Sequence, residues 1–346
     1  MKENRCFIIA ELSANHGGDI EVAKETIRAA KRVGADAIKL QTYTADTITL
    51  DVKNDYFKIS HGTHWDGQYL HDLYKSASLP WEWHKELFDV AHDEGLICFS
   101  SPFDKSAVNF LEELNAPIYK IASFEITDIP LIEYVASKGK PVIISTGIAA
   151  IEDIELAIAT CRSVGNNDIT ILKCTSQYPA LPEDANLLTI PDIKNKFNVE
   201  VGLSDHTMGI EAPVVAVALG AKVIEKHFIL DKSIGGADAH FSLDENEFKQ
   251  MVDSVRLAES MLGKVDYEMT EKKKKSREFS RSLFIVKDVR AGDIITEDNV
   301  RSIRPGYGLH PKYFKEILGK PVNKVMKKGT PIKLGDIGVG VDKQES

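Results

Sequence analysis

Phe7-Ile-Ile-Ala-Glu11-Leu-Ser-Ala-Asn-His16-Gly-Gly18 decides the fold of this 346-residue chain. Four apolar residues run into a carboxylate, a polar turn with two glycines follows, and an amphipathic pattern then extends over 20–33. Strand, short loop and helix in that order make the opening βα unit of a parallel sheet. A doubly wound nucleotide-binding sheet would carry a glycine fingerprint at this turn, and GxGxxG and GxxxxGK[ST] are both absent. Working outward, strand patterns recur at 37–41, 97–101, 118–122, 142–146, 169–173, 199–204 and 223–227. Helical patterns lie between or after them at 81–94, 107–114, 151–164, 210–219 and 244–262. Eight βα units within residues 1–265 predict a (β/α)8 TIM barrel.

Two segments depart from a minimal barrel. The connection over 42–80 is long and rich in Asp, His, Tyr and Trp, which predicts a lid or specificity element over the site. Residues 266–282 contain the lysine run 272–275 and no apolar period, so they read as a solvated linker or a projecting helix. Residues 283–346 then form a small unit. Strands are expected at 282–286 and 331–333, with turns at Ala291-Gly-Asp293 and Lys328-Gly329 and a loop Arg304-Pro-Gly-Tyr-Gly308. So short a unit has a thin core, and it is expected to lean on a barrel, its own or a neighbour's.

Composition bounds the function. Apolar residues at 43% and charged residues at 27% exclude disordered and disulfide-scaffold classes. Cys6, Cys98, Cys161 and Cys174 show no CxxC spacing and read as reduced thiols. The N-terminal residues lack a signal-peptide apolar region, and no run approaches 18 apolar residues, so a cytoplasmic protein without membrane contact is expected. The net charge of −9 is unevenly spread. From Asp266 onward 18 Lys and Arg face 12 Asp and Glu, a balance of +6, and the remaining 25 against 40 leave −15. Scattered basic residues beside an acidic body predict mutual docking rather than nucleic-acid binding.

Barrel chemistry sits at the C-terminal ends of the strands. Here those ends carry Glu11, Lys39 and Gln41, Ser100 and Ser101, Lys120 and Ser123, Ser145 and Thr146, Lys173 and Thr175, Ser204 and His206, and Glu225 and His227. Spacing of i, i+2 puts both members of a pair on one face of a strand. Lys39, Lys120 and Lys173 with Ser101, Ser123 and Ser204 predict a cradle for a phosphate and a carboxylate, unless some of these lysines pair structurally with Glu11 or Glu225. His206 and His227 end neighbouring strands. Two imidazoles with open positions suit a divalent Lewis acid better than a closed structural zinc. Glu11 is placed to act as general acid or base, or to pair with Lys39. Asp238, in Gly235-Gly-Ala-Asp238, would bind a sugar hydroxyl or cap a turn.

Motifs in register along the chain carry a resemblance. Ile9-Ala-Glu-Leu-Ser-Ala-Asn-His-Gly17, Ala37-Ile-Lys-Leu-Gln-Thr42, Tyr119-Lys-Ile-Ala-Ser123, Cys174-Thr-Ser-Gln-Tyr-Pro179, Val201-Gly-Leu-Ser-Asp-His-Thr207 and Ile224-Glu-Lys-His-Phe228 resemble the nonulosonic (sialic-acid-type) acid synthases. Arg281-Ser-Leu283 through Arg304-Pro-Gly306 resembles the antifreeze-like (SAF) domain of that family. The resemblance implies condensation of phosphoenolpyruvate with an N-acetylated aldose, a divalent metal, usually Mn2+ with Mg2+ or Co2+ as alternatives, and a homodimer with exchanged antifreeze-like domains. By position it implies Glu11 as catalytic carboxylate and His206 and His227 as metal ligands. Lys39, Ser101, Lys120, Ser123 and Ser204 become the phosphoenolpyruvate shell. Gln41, Tyr178, Glu225 and Asp238 become sugar contacts, and Arg304 reaches a partner's site. Ser176 stands where the N-acetylneuraminate branch usually has Asn. His64-Trp-Asp-Gly-Gln-Tyr-Leu-His-Asp-Leu-Tyr74, Leu79-Pro-Trp-Glu-Trp-His84, Cys98-Phe-Ser-Ser-Pro-Phe103 and Gly306-Tyr-Gly-Leu-His-Pro311 resemble the pseudaminic acid branch, whose acceptor is a 2,4-diacetamido-2,4,6-trideoxy-altrose. N-acetylneuraminate and legionaminate chemistry are the neighbouring alternatives, and a non-catalytic sugar-binding scaffold is the alternative of another class.

Overall fold

A computed structural model describes residues 5–60 and 65–338. His64 and residues 339–346 of the expected antifreeze-like domain lie outside the described residues. The chain divides into two compact units, with the boundary between Gly263 and Lys264.

In the first unit eight parallel strands close into a barrel in sequence order: β1 (Phe7–Glu11), β2 (Ala37–Thr42), β3 (Ile97–Pro102), β4 (Tyr119–Ile121), β5 (Val142–Ser145), β6 (Ile169–Cys174), β7 (Glu200–Asp205) and β8 (Val223–His227). Each lies within one residue of its expected bounds. The barrel's lower interior is an apolar plug of Phe7, Ile9, Ala37, Phe99, Ile143, Leu172 and Val223, with Ile118 packed against it. Alternation along each strand then carries the next inward position up to Glu11, Lys39, Ser101, Lys120, Ser145, Cys174 and Glu225. Gly202 completes the plug as a bare backbone. A Cβ there would lie 2.3 Å from the Val223 carbonyl and 2.6 Å from Leu172.

The helices bury one stripe each against the strands. Ile20–Arg32 is capped by Asp19, whose side chain accepts from the Glu21 amide, and it buries Ala23, Thr26, Ile27 and Ala30 at helical spacing. Glu245–Leu262 starts on an Asp244/Glu247 capping box and buries Phe248, Met251, Val252 and Val255. Helices at Ile129–Ala136 and Thr189–Phe197 were absent from the expected set. Each holds a proline in its first turn, where the missing N–H costs nothing. No described helix is long and apolar enough to cross a membrane.

The second unit contains an exposed helix, Glu271–Arg277, within the expected linker, and then an antiparallel pair, β9 (Ser282–Ile285) and β10 (Val300–Ile303). Ser282, where the expected linker span meets the expected strand 282–286, is a buried strand residue. The strand expected at 331–333 is only a bridge from Pro331 to Phe284, and β10 was not expected. Leu283, Ile285, Val289, Ile295, Val300, Ile317, Val322, Met326 and Ile332 form this unit's own core.

Candidate active site

At the barrel's centre lies an alternating set of buried charges. Lys39 Nζ is 3.0 Å from Glu11 Oε2 and 3.3 Å from Glu225 Oε1, and Lys120 Nζ is 3.8 Å from Glu225 Oε1. All four side chains are almost wholly buried. Register explains the meeting, because Glu11 pairs with Lys39 across β1 and β2, and Ile9 pairs with Glu225 across β1 and β8. Gln41 donates to Glu11 Oε1 at 3.1 Å. Ser101 accepts from Lys39 at 3.2 Å, and Ser204 donates to Glu225 at 3.2 Å.

Burial sets the titration of these groups. It pushes the Glu11 carboxyl up to about 7 against the pull of Lys39. Burial opposes the charge of Lys39 too, but Glu11 and Glu225 outweigh it and hold that amine above its ordinary value. Lys120 is lowered to about 8 by burial, only partly offset by Glu225. Glu225, despite burial, is held below the usual carboxylate range by Lys120 and Lys39. The cluster thus joins a carboxyl poised near neutrality to two cations. Glu11 pairs with Lys39, the alternative reading of its place at the strand end.

Lys173 does not join them. The inward residues of β6 are Leu172 and Cys174, so Lys173 faces the other way and donates to the Cys174 carbonyl at 2.7 Å and to Thr175 Oγ1 at 3.1 Å. The third cradle lysine of the sequence reading is therefore corrected. Cys174 occupies the place instead, with Sγ 3.9 Å from both Ser176 Oγ and His206 Nδ1.

Ser123 and Ser176 meet beyond the strand ends, where Ser176 Oγ donates to Ser123 Oγ at 2.8 Å. Gly147 makes room for them, since a Cβ there would lie 2.1 Å from Ser176 Oγ and 2.7 Å from Ser123 Oγ.

The imidazoles of His206 and His227 stand 5.3 Å apart, centroid to centroid. His206 Nδ1 lies 2.9 Å from the Thr175 carbonyl, which makes Nδ1 the donor and leaves Nε2 as a lone-pair ligand. His227 Nδ1 is buried without a hydrogen-bond partner among the described residues and lies 3.7 Å from Asp238 Oδ2. Burial and the positive charge of His206 and Lys39 hold His227 well below its usual pKa, so it is neutral. Asp238 accepts from Ser13 Oγ at 2.5 Å. Burial opposes charge on His206 too, but Cys174 and the Thr175 carbonyl hold that imidazole above its ordinary value. Two imidazoles beside a carboxylate form a donor set that fits a divalent ion, which would take the place of the His206 proton. A second donor group, Asp51, His71 and Asp72, lies on the 42–80 connection. Its members are already committed, Asp72 to Lys53 and His71 to Asp46, so it reads as an ion-pair cluster.

Tyr178 tilts over His206 at 4.4 Å. Trp65, from the 42–80 connection, stands at 6.0 Å and 60° to Tyr178. Arg304 lies in the second unit, exposed, directly after β10.

Two groups were missed by sequence reasoning. Phe241, buried, is edge-on to His227 at 4.7 Å and to His206 at 6.0 Å. Glu125, in the 3-10 turn Ser123–Glu125, has a carboxyl pushed up to about 7 by burial, with Lys120 opposing, and its Oε2 has no hydrogen-bond partner among the described residues. Ser145 Oγ and Glu225 Oε2 are likewise buried and without such a partner. A buried polar atom left unsatisfied costs about 1–3 kcal/mol, and several gathered at one barrel mouth mark a surface built to receive a polar ligand.

A family model described as the NeuB family matches residues 26–267, and one described as the SAF domain matches 280–338. The pseudaminic acid synthase of Campylobacter jejuni subsp. jejuni serotype O:2 is 52% identical over 334 residues, covering 96% of this chain and 97% of that protein. That of Helicobacter pylori is 50% identical, covering 95% and 97%. Among solved structures, an N-acetylneuraminic acid synthetase from Leptospira borgpetersenii superposes with a TM-score of 0.70 at 32% identity, over 79% of this chain and 90% of that one.

Proposed function

The chain belongs to the NeuB family, and from that premise and the site's geometry we infer that it condenses phosphoenolpyruvate with 2,4-diacetamido-2,4,6-trideoxy-altrose to give pseudaminic acid and phosphate. The observation that carries the chemistry is the buried Glu11–Lys39–Glu225–Lys120 set beside two imidazoles. A binding scaffold has no use for a carboxyl poised near neutrality between lysines.

In this reading Lys39 and Lys120 hold the phosphate and carboxylate of phosphoenolpyruvate, and Ser101, Ser123, Ser176 and Ser204 complete the shell. Gln41, Tyr178, Glu225 and Asp238 orient the open-chain acceptor so that its aldehyde carbon meets the enol carbon. His206 and His227 would hold a divalent ion, Mn2+ with Mg2+ or Co2+ as alternatives, which when bound supplies a Lewis acid for the aldehyde oxygen. Attack by the enol carbon forms the C–C bond and leaves an oxocarbenium-like C2, to which water adds. Glu11 takes the water proton and returns it to the alkoxide formed from the aldehyde oxygen. The tetrahedral intermediate collapses by C–O cleavage, its hydroxyl proton leaving with the phosphate. One water is consumed and one phosphate released per product.

Incubation with phosphoenolpyruvate, Mn2+ and each of three acceptors tests this: the altrose, N-acetylmannosamine and the legionaminic acid precursor. Phosphate release fastest with the altrose is expected. Release only with another acceptor would overturn the substrate, and none with any acceptor would favour the scaffold.

We further propose a homodimer in which each C-terminal unit caps the partner's barrel with Arg304 near the acceptor. The +6 and −15 balances support it. So does the linker, which with Glu271–Arg277 helical still reaches about 40 Å. Mixing a Glu11→Gln chain with an Arg304→Ala chain should restore activity to one site per heterodimer. No recovery, with subunit exchange verified, would overturn the exchange. Four free, buried cysteines support the cytoplasm as its compartment.

A further inference from the structure

The strand ends supply the shared chemistry of condensation, whereas the 42–80 connection brings Trp65 to the acceptor side of the site. Trp65 is half-buried, and its ring stands 6.0 Å from Tyr178 at an interplanar angle of 60°. Tyr178 in turn lies 4.4 Å from the His206 ring and 5.3 Å from Phe241. Phe241 closes the wall against His227 at 4.7 Å. Three aromatic rings thus line up beside the imidazole pair, with Trp65 reached through Tyr178.

The polar groups lie at the inner end of this wall. Asp238 and Ser13 are beside His227, and the charged set of Glu11, Lys39, Lys120 and Glu225 fills the barrel centre. An acceptor whose aldehyde enters between the imidazoles has its hydroxyl-bearing carbons beside polar partners and its far end beside indole. An indole presents a wide apolar area with a single N–H donor at one edge. That surface rewards a methyl group, whereas a hydroxymethyl gives up water and recovers at most what the one indole N–H returns.

Resting on the function proposed above, we propose that Trp65 is a specificity-determining residue that recognises the apolar C6 methyl end of a 6-deoxy acceptor. It is not part of the catalytic machinery, and it acts on the choice of sugar rather than on phosphoenolpyruvate. Selectivity then resides on the long connection, while the chemistry resides on the strands.

The test compares kcat/KM for the 6-deoxy acceptor and for its 6-hydroxy counterpart in the wild type, Trp65→Ala and Trp65→Phe, with the KM for phosphoenolpyruvate as the internal control. Loss of one well-buried methyl contact is worth roughly 10- to 200-fold in discrimination. Trp65→Ala should therefore lower the 6-deoxy to 6-hydroxy ratio by about 10-fold or more. Trp65→Phe should keep most of the ratio, and the KM for phosphoenolpyruvate should stay put in both. An equal loss with both sugars, or a rise in the KM for phosphoenolpyruvate, would show a structural role and overturn the proposal. A wild-type preference for the 6-deoxy sugar that persists in Trp65→Ala would overturn the role of Trp65 alone. A wild type that prefers the 6-hydroxy sugar would overturn the acceptor assignment and the role of Trp65 with it.

Discussion

Gly147→Ala separates binding from folding at the Ser123–Ser176 pair. The added Cβ would lie 2.1 Å from Ser176 Oγ, 2.7 Å from Ser123 Oγ and 3.0 Å from Ser176 Cβ. An ordinary contact needs Ser176 Oγ to retreat by more than an ångström, which takes it off its 2.8 Å bond to Ser123. The obstructing atoms are hydroxyl tips, so rotation relieves most of the clash and little backbone strain follows. The lost hydrogen bond costs about 0.5–1.5 kcal/mol, and replacing glycine returns about 0.4–1 kcal/mol through the unfolded chain. Those terms nearly cancel, so Tm should move by no more than a few degrees. Binding of phosphoenolpyruvate does not cancel. A hydrogen bond to a charged ligand is worth about 1.5–3 kcal/mol, so its KM should rise roughly 10- to 100-fold. Steady-state kinetics with each substrate varied in turn, alongside thermal denaturation, reads both effects. An unchanged KM for phosphoenolpyruvate, or a collapse in Tm, would refute the reasoning.

Glu11→Gln should keep the fold, because Lys39 retains Glu225 at 3.3 Å, and should lower kcat by roughly 10²–10⁴. Near-full activity in that variant would remove Glu11 from proton transfer. Lys120, lowered to about 8 by burial, is a cation below that pH and neutral above it. The KM for phosphoenolpyruvate should therefore rise with pH through about 8, and Lys120→Arg, which stays charged, should abolish that rise if it folds. A flat wild-type profile would remove Lys120 from anion binding. Chelation should stop turnover while Tm holds, since a two-imidazole site on a large barrel is not what keeps it folded. A large fall in Tm on adding chelator would argue for a structural ion.

The barrel was legible because its strands are apolar runs ending in polar pairs, and alternation along them identified Glu11, Lys39, Lys120, Glu225 and the two histidines as a set. Lys173 shows the limit of that logic. A strand end misjudged by one residue turns every side chain to the other face, and Cys174 rather than Lys173 points inward. Glu125 escaped because the 3-10 turn after β4 abandons strand periodicity just where the carboxyl swings back toward Lys120. The helix Ile129–Ala136 hid behind Pro130 and a nearly continuous apolar run, which reads equally well as a strand. In the second unit β10, Val300-Arg-Ser-Ile303, has only one buried residue, too little contrast for a pattern to declare it.

Carbon–oxygen cleavage is the account's central claim, and isotope tracing tests it most directly. Phosphoenolpyruvate labelled with 18O at the bridging position is turned over with the altrose acceptor, and both products are weighed by mass spectrometry. If water adds at C2 and Glu11 takes its proton, the bridging oxygen leaves with phosphorus, and all of the label appears in inorganic phosphate. Label retained at C2 of the sugar acid would mean that the phosphorus–oxygen bond had broken, and it would contradict the mechanism built on this site.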